Sequence, residues 1–181
     1  MQLDKKLKDN EYQEDNHYEE IEALIKEYGN DVLWTAYMYV KDKDVAEDIF
    51  QDVFVKISQK LNTFKGNSNI KTWMIRITIN TSKDFLKSAW NRRVFSISEY
   101  HENTLTGEND YIKIEKEEEH KIIRNAVMGL EGKHKDVILC VYFMDMTIKE
   151  AARCLNIKEG TAKSRLSRAK DKLRDKLEGR I

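Results

Sequence analysis

Residues 146–174, MTIKEAARCLNIKEGTAKSRLSRAKDKLR, place a short helix, a tight turn and a long basic helix in direct succession. Thr147-Ile148-Lys149-Glu150 has the S/T-x-x-E form of a capping box, in which each end residue satisfies a free amide of the other, so a helix starts there. Ile148, Ala151, Ala152 and Leu155 form its apolar face. Asn156-Ile157-Lys158 makes a brief turn. Ala162, Leu166, Ala169, Leu173 and Leu177 then recur at steps of four and three, the spacing of a second amphipathic helix. This order is that of a helix-turn-helix unit.

In the second helix Gly160, Thr161 and Ala162 are small and permit close approach of a backbone, and the free amides of a helix N-terminus attract phosphate. Lys163, Ser164, Ser167 and Arg168 group on the face away from the leucines. A solvated amphipathic helix accounts for these charges alone equally well. It does not account for the capped helix and turn that precede them, and DNA reading does.

Upstream, Ile122, Ile123, Val127 and Leu130 predict one helix, and Val137, Ile138, Val141 and Met144 another. Residues 91–117 lose the helical period, gain Asn, Ser, Thr, Glu and Gly, and read as a linker. Fully extended, they reach about 90 Å at roughly 3.3 Å per residue, some two and a half turns of DNA at about 34 Å per turn. Two separated DNA contacts can be bridged by such a segment.

Residues 17–90 predict a compact four-helix unit behind a polar tail, residues 1–16. Tyr18, Ile21, Leu24, Ile25 and Tyr28 form a first stripe that Gly29-Asn30 ends, and Leu33, Trp34, Ala36, Tyr37 and Val40 form a second. Val45, Ala46, Ile49, Phe50, Val53, Phe54, Ile57 and Leu61 line a third helix. On its other side Asp44, Asp48 and Asp52 stand at i, i+4 and i+8, with Glu47 and Gln51 beside them. Like charges so spaced are slightly destabilising, so the ridge is either a solvated face or a docking surface. No histidine, metal-ligand set or phosphate loop accompanies these carboxylates, which argues against acid–base catalysis.

After the breaker FKGNSN, Trp73, Met74, Ile77, Phe85 and Leu86 predict a fourth helix from Ile70 to about Trp90. Around it Phe64, Lys65, Lys71, Trp73, Arg76, Lys83, Lys87, Trp90, Arg92 and Arg93 interleave aromatic and cationic side chains. Such a mixture suits single-stranded nucleic acid, on whose bases aromatic rings stack, although Trp73 and Phe85 also fit a core stripe. Asn80 is hard to place in a core; its amide can bond a base edge or the adjacent backbone.

The whole composition agrees. The 181 residues suffice for two small domains. There is no proline where average usage predicts about nine, which favours helices over turn-punctuated β structure. The net charge of zero conceals alternation: −7 over residues 1–64, +6 over 65–93, −6 over 94–120, +2 over 121–157 and +5 over 158–181. Two basic patches set apart by acidic ones suggest two contacts with a polyanion. Cys140 and Cys154 sit among apolar residues without ligand spacing, so they read as core thiols and no metal site is expected. The N-terminus has no apolar h-region and no stretch approaches 18 apolar residues, so the chain reads as cytoplasmic.

DVAEDIFQDVFVKI with FKGNSNIKTWMIRITINTSKDFLK resembles region 2, and MTIKEAARCLNIKEGTAKSRLSRAKDKLR region 4, of the bacterial RNA polymerase sigma factors of the sigma-70 family, extracytoplasmic-function subgroup. The resemblance covers about residues 17–90 and 118–178. It implies an all-α, two-domain transcription initiation factor that is not itself an enzyme and needs no cofactor or small-molecule substrate. Asp44, Glu47, Asp48, Gln51 and Asp52 would bind core RNA polymerase. Phe64, the loop with Lys65, Asn67 and Asn69, and the helix with Lys71, Trp73, Arg76, Asn80, Lys83 and Lys87 would take the minus-ten element, including an unpaired non-template base. Thr161, Lys163, Ser164, Arg165, Ser167 and Arg168 would read the minus-thirty-five element in duplex promoter DNA. The resemblance also implies an anti-sigma protein as inhibitor, through which the chain could be held at a membrane.

Two other readings compete: a stand-alone helix-turn-helix regulator and an adaptor whose basic helices bind acidic proteins. Residues 17–90 discriminate, because a stand-alone regulator needs a ligand pocket, dimer helix or receiver domain there, not an acidic ridge leading to a Trp/Asn/basic helix.

Overall fold

The computed structural model describes the backbone of residues 2–95 and 118–178 and the side chains of residues 17–89 and 122–178. Residues 96–117 of the expected linker, and the side chains of Trp90, Arg92 and Arg93, lie outside them. All regular structure among the described residues is helical.

Helix α1 runs unbroken from Gln2 to Val40. The break expected at Gly29-Asn30 does not occur. Gly29 is buried, with the Phe50 ring beside it at a distance that would give even an added side-chain carbon ordinary contact, 3.5 Å, and packing of this kind carries the helix through a residue of low helical propensity. The helix also begins within the segment expected to be a polar tail. Tyr18 is 72% exposed and Ile25 is exposed as well, so the first apolar stripe is only partly a core face. Lys41, at φ 60°, closes α1 with its amide on the Tyr37 carbonyl at 2.9 Å, a left-handed stop.

Helix α2 (Lys43–Lys60) starts at Asp42, whose carboxylate accepts from the Val45 amide. It buries Ala46, Ile49, Val53, Phe54 and Ile57. Burying each large side chain among them contributes about 1.5–3 kcal/mol, while a like-charge i,i+4 pair costs about 0.2–0.5 kcal/mol. Packing therefore sustains the acidic outer face. A 3₁₀ turn, Leu61–Thr63, and a loop with Gly66 at φ 68° lead to helix α3 (Ile70–Phe95). The helix continues five residues past the expected end at Trp90. Lys71 pairs with Asp31 of α1 at 2.8 Å, and Lys56 of α2 donates to Thr81 of α3 at 3.1 Å.

The C-terminal half comprises α4 (Glu118–Met128), α5 (Gly132–Ile138) with a π-turn over Leu139–Phe143, α6 (Ile148–Cys154) and α7 (Glu159–Leu177). The capping box is present: the Glu150 amide donates to Thr147 Oγ1 at 3.3 Å and the Thr147 amide to Glu150 Oε2 at 2.9 Å. Cys140 and Cys154 are buried free thiols, as expected. After α6, Asn156 at φ 52° turns the chain and the Ile157 amide returns to the Ala152 carbonyl.

The two halves share one buried cluster. Val32, Met38, Ile49, Val53, Met74 and Ile79 from the first half are continuous with Val137, Ile138, Leu139 and Cys154 from the second.

Candidate nucleic-acid interface

On α2 the burial of Ala46, Ile49 and Val53 turns Asp44, Asp48, Gln51 and Asp52 outward, with Glu47 half-buried at the edge. Val55 lies on the same outer face and is 56% exposed. Helical period places it there, three residues after Asp52 and four after Gln51, although a lone valine among acids carries no signal of its own.

On α3 the positions 69, 73, 76, 80, 83 and 87 follow one another at steps of three or four, so their side chains share a stripe. Met74, Ile75, Thr78 and Ile79 are buried on the other side. Asn69 caps the helix by accepting the Lys71 amide at 2.8 Å. Trp73 is half-buried, its ring 5.2 Å from that of Phe64. Both rings remain partly open beside the loop, where Lys65 and Asn67 are exposed. Asn80 and Lys87 are exposed, so Asn80 spends no core space. Leu86, expected in the apolar stripe, is 40% exposed.

Three cations of the expected set are already engaged. Lys71 is held by Asp31. Arg76 donates from Nε to the Cys154 carbonyl at 2.9 Å, and Lys83 meets Asp136 Oδ2 at 2.5 Å. The last two partners belong to α6 and α5. Asp136 also accepts from the Tyr39 hydroxyl. Beside it Lys135 donates to the Met38 carbonyl at 3.2 Å, with its ammonium 5.4 Å from the Tyr39 ring. Burial, chiefly, and then the Lys41 charge pull the Lys135 ammonium down to about 8. Burial and the Asp136 carboxylate push the Tyr39 phenol well above the usual tyrosine range. Trp34 against Phe143, at 4.6 Å between ring centroids, and the Thr35 hydroxyl donating to the Met144 sulfur at 3.9 Å complete the seam.

On α7 Ala162, Leu166 and Ala169 are buried, while Lys163, Ser164, Ser167 and Arg168 are exposed on the opposite side and Thr161 and Arg165 are half-buried. Lys158 provides no side-chain cap, so the amides of the first turn face outward. Nothing stands within 4 Å of a side chain at Gly160, which leaves that turn open to a close approach. Lys163 reaches back to Glu159 at 3.0 Å, and the Ser164 hydroxyl donates to the Thr161 carbonyl at 3.0 Å.

Among the described residues no cluster of His, Cys, Asp or Glu is arranged to hold a metal ion, and no helix is long and apolar enough to cross a membrane.

Comparison with known proteins gives matches over both halves. The family model of Sigma-70 region 2 matches residues 24–92, and that of Sigma-70, region 4 matches residues 126–175. The RNA polymerase sigma factor SigZ of Bacillus subtilis is 30% identical over 140 residues, 77% of each chain. The ECF RNA polymerase sigma-E factor of Haemophilus influenzae is 24% identical over 166 residues, 86% of each. Among solved structures, the sigma factor RpoE in complex with the anti-sigma factor NepR, from Bartonella quintana, superposes with a TM-score of 0.74 at 21% identity, covering 88% of this chain and 98% of that one. CnrH in complex with the cytosolic domain of CnrY gives 0.64 at 20% identity, covering 87% of each.

Proposed function

The chain belongs to the sigma-70 family as an RNA polymerase sigma factor of the extracytoplasmic-function group, which directs polymerase to promoters, and on that premise we propose the following division of labour. The α2 face of Asp44, Glu47, Asp48, Gln51 and Asp52 docks on core polymerase, with Val55 as its apolar contact. The α3 stripe and the Phe64–Asn69 loop take the minus-ten element. Rings and amides hold unpaired bases, and cations follow the backbone. The outer face of α7 lies in the major groove at the minus-thirty-five element, with Lys163, Ser164, Ser167 and Arg168 nearest the base edges and Thr161 and Arg165 toward phosphate. Catalysis belongs to the polymerase.

The observation that carries this reading is the α3 stripe, where exposed Asn80 lies between Arg76 and Lys83 on a helix whose opposite side is wholly apolar or hydroxylic. A stand-alone regulator has no use for that face. An anti-sigma protein is the expected inhibitor, since RpoE and CnrH, of similar fold, are each bound by one or by the domain of a second protein. With such a partner the chain works in the cytoplasm, where promoters and polymerase are.

The test adds the purified chain to core polymerase on genomic DNA and maps transcript starts. New starts that share two spaced sequence elements are expected. Active core with no new starts overturns the proposal.

A further inference from the structure

The exposed line that carries Lys163 and Ser167 on α7 begins at Glu159. Glu159 is the first residue of the helix, Lys163 follows at i+4 and Ser167 at i+8, so the three side chains are in register toward the helix start. In helix-turn-helix units that end of the second helix carries the residues that contact base edges. Glu159 Oε1 holds the Lys163 ammonium at 3.0 Å, and among the described residues Oε2 meets no partner. An acid on the first turn also favours a helix start, and a Glu–Lys pair one turn apart stabilises a helix slightly. An acid at any outward position of that turn meets both needs. This one stands in line with Lys163 and Ser167, on a turn whose uncapped amides and open Gly160 otherwise suit phosphate. There it repels the backbone of every DNA sequence alike, and only a donor on a base edge compensates it.

We propose that Glu159 is a specificity-determining residue of the minus-thirty-five contact: its second carboxylate oxygen accepts the N4 amino group of a cytosine, beside the base edge that Lys163 takes. This rests on the reading of α7 as the minus-thirty-five helix. Cytosine is singled out by its major-groove edge, which offers a donor. Guanine and thymine present acceptors at O6, N7 and O4, which a carboxylate repels, and adenine sets its N7 acceptor beside its N6 donor. Lys163, a donor only, suits guanine O6 and N7. The pair thus presents an acceptor and a donor side by side, held together by the 3.0 Å contact, and fits a cytosine next to a guanine. Because the carboxylate weakens binding to every other sequence, it raises discrimination more than affinity.

The experiment uses the holoenzyme, assembled from core polymerase and the full chain, to select from promoter duplexes randomised across the minus-thirty-five element. Wild type is expected to prefer cytosine, on one strand or the other, at one position by about fivefold to tenfold. Glu159→Ala should flatten that position. Glu159→Gln, whose amide pairs with adenine N6 and N7, should move it to adenine. Base preferences identical to wild type in both variants overturn the inference even where overall affinity rises, because the acid then acts only through its charge or the helix start. A change confined to a position where neither strand carries cytosine overturns it as well. Failure of the α7 reading shows separately: Arg168→Ala would then also leave the selected sequences unchanged, whereas a change with Arg168→Ala and none with the Glu159 variants removes this inference alone.

Discussion

Trp73, on the first turns of α3, lies with its ring 5.2 Å from the Phe64 ring and tilted by 42°, so the helix start and the preceding loop are joined by an aromatic pair open on one side. Such a pair adds about 0.5–1.5 kcal/mol beyond its buried area. It is therefore a modest contributor to stability and a ready platform for a third ring.

Phe64→Ala, which removes both the ring pair and the buried part of the ring, is expected to lower the unfolding free energy by about 1–3 kcal/mol while strongly reducing promoter opening by the holoenzyme. Permanganate reactivity of the minus-ten thymines measures the second effect and chemical denaturation the first. Equal promoter opening with the expected loss of stability would assign the pair to packing alone.

Asp48→Lys places a cation in the middle of the exposed acidic ridge, three residues from Gln51 and four from Asp52. It should weaken binding to core polymerase and leave the circular dichroism native. Val55→Glu should do the same through lost apolar contact. Unaltered affinity in both variants, measured by competition for core, would count against α2 as the docking surface.

Arg168→Ala is expected to cost about 1–3 kcal/mol in promoter binding and to relax sequence choice at one position of the minus-thirty-five element. Arg165→Ala, half-buried near phosphate in this reading, should weaken binding uniformly across sequences and reduce the salt slope by about one. A selection from randomised promoter sequences separates the two outcomes.

Thr147→Ala removes the acceptor of the Glu150 amide, and with it the hydrogen bond that holds the Glu150 carboxylate below its usual range. The cost to stability should be about 0.5–2 kcal/mol, read by denaturant midpoint. Thr147→Ser should recover most of it, since the capping oxygen returns.

Lys135 gives the fold a pH dependence on the alkaline side. Burial lowers its ammonium to about 8 from an ordinary lysine value of 10.5, so between those values the unfolded chain keeps a proton that the folded chain has released. Stability from this group therefore rises with pH across that window. Tyr39 and Cys140 act oppositely. Burial above all keeps the first protonated beyond the ordinary 10.0, and a hydrogen bond with Cys154, then burial, keep the second so beyond 9.0, so their contributions fall above those values. Wild type is expected to gain stability relative to Lys135→Met from pH 8 to 9, measured by denaturation at each pH. A constant difference would contradict the depressed value.

The helix-turn-helix was legible because it is written in short-range chemistry. A capping box and each i,i+3 or i,i+4 step of a stripe span at most five residues, and the structure has both where the sequence puts them. The apolar face of α2 was found by period in the same way, whereas the polar and aromatic members of α3 came from composition and from the family resemblance, and their common stripe is a finding of the structure. The continuity of α1 was not legible. Gly29-Asn30 is a break by local propensity, and tertiary packing of α1 against its neighbours overrides it. Val55 went unnoticed for a different reason: period sets it on the acidic stripe, three residues after Asp52, but a lone valine among acids carries no signal of its own.

The sequence by itself determined an all-α chain, two basic surfaces, an acidic ridge and the family to which they belong, because each is a pattern of neighbouring residues. Only the tertiary structure decided that the two halves meet, and where. Asp136 is separated from Tyr39 by 97 residues and from Lys83 by 53, and no periodicity couples side chains so far apart. In the sequence Lys83 is one more cation on a basic helix, and Asp136 one acid in a charged run. Their pairing follows from α5 being seated beside α1 and α3 by a shared apolar cluster, which gathers surfaces from the whole chain and has no local signature.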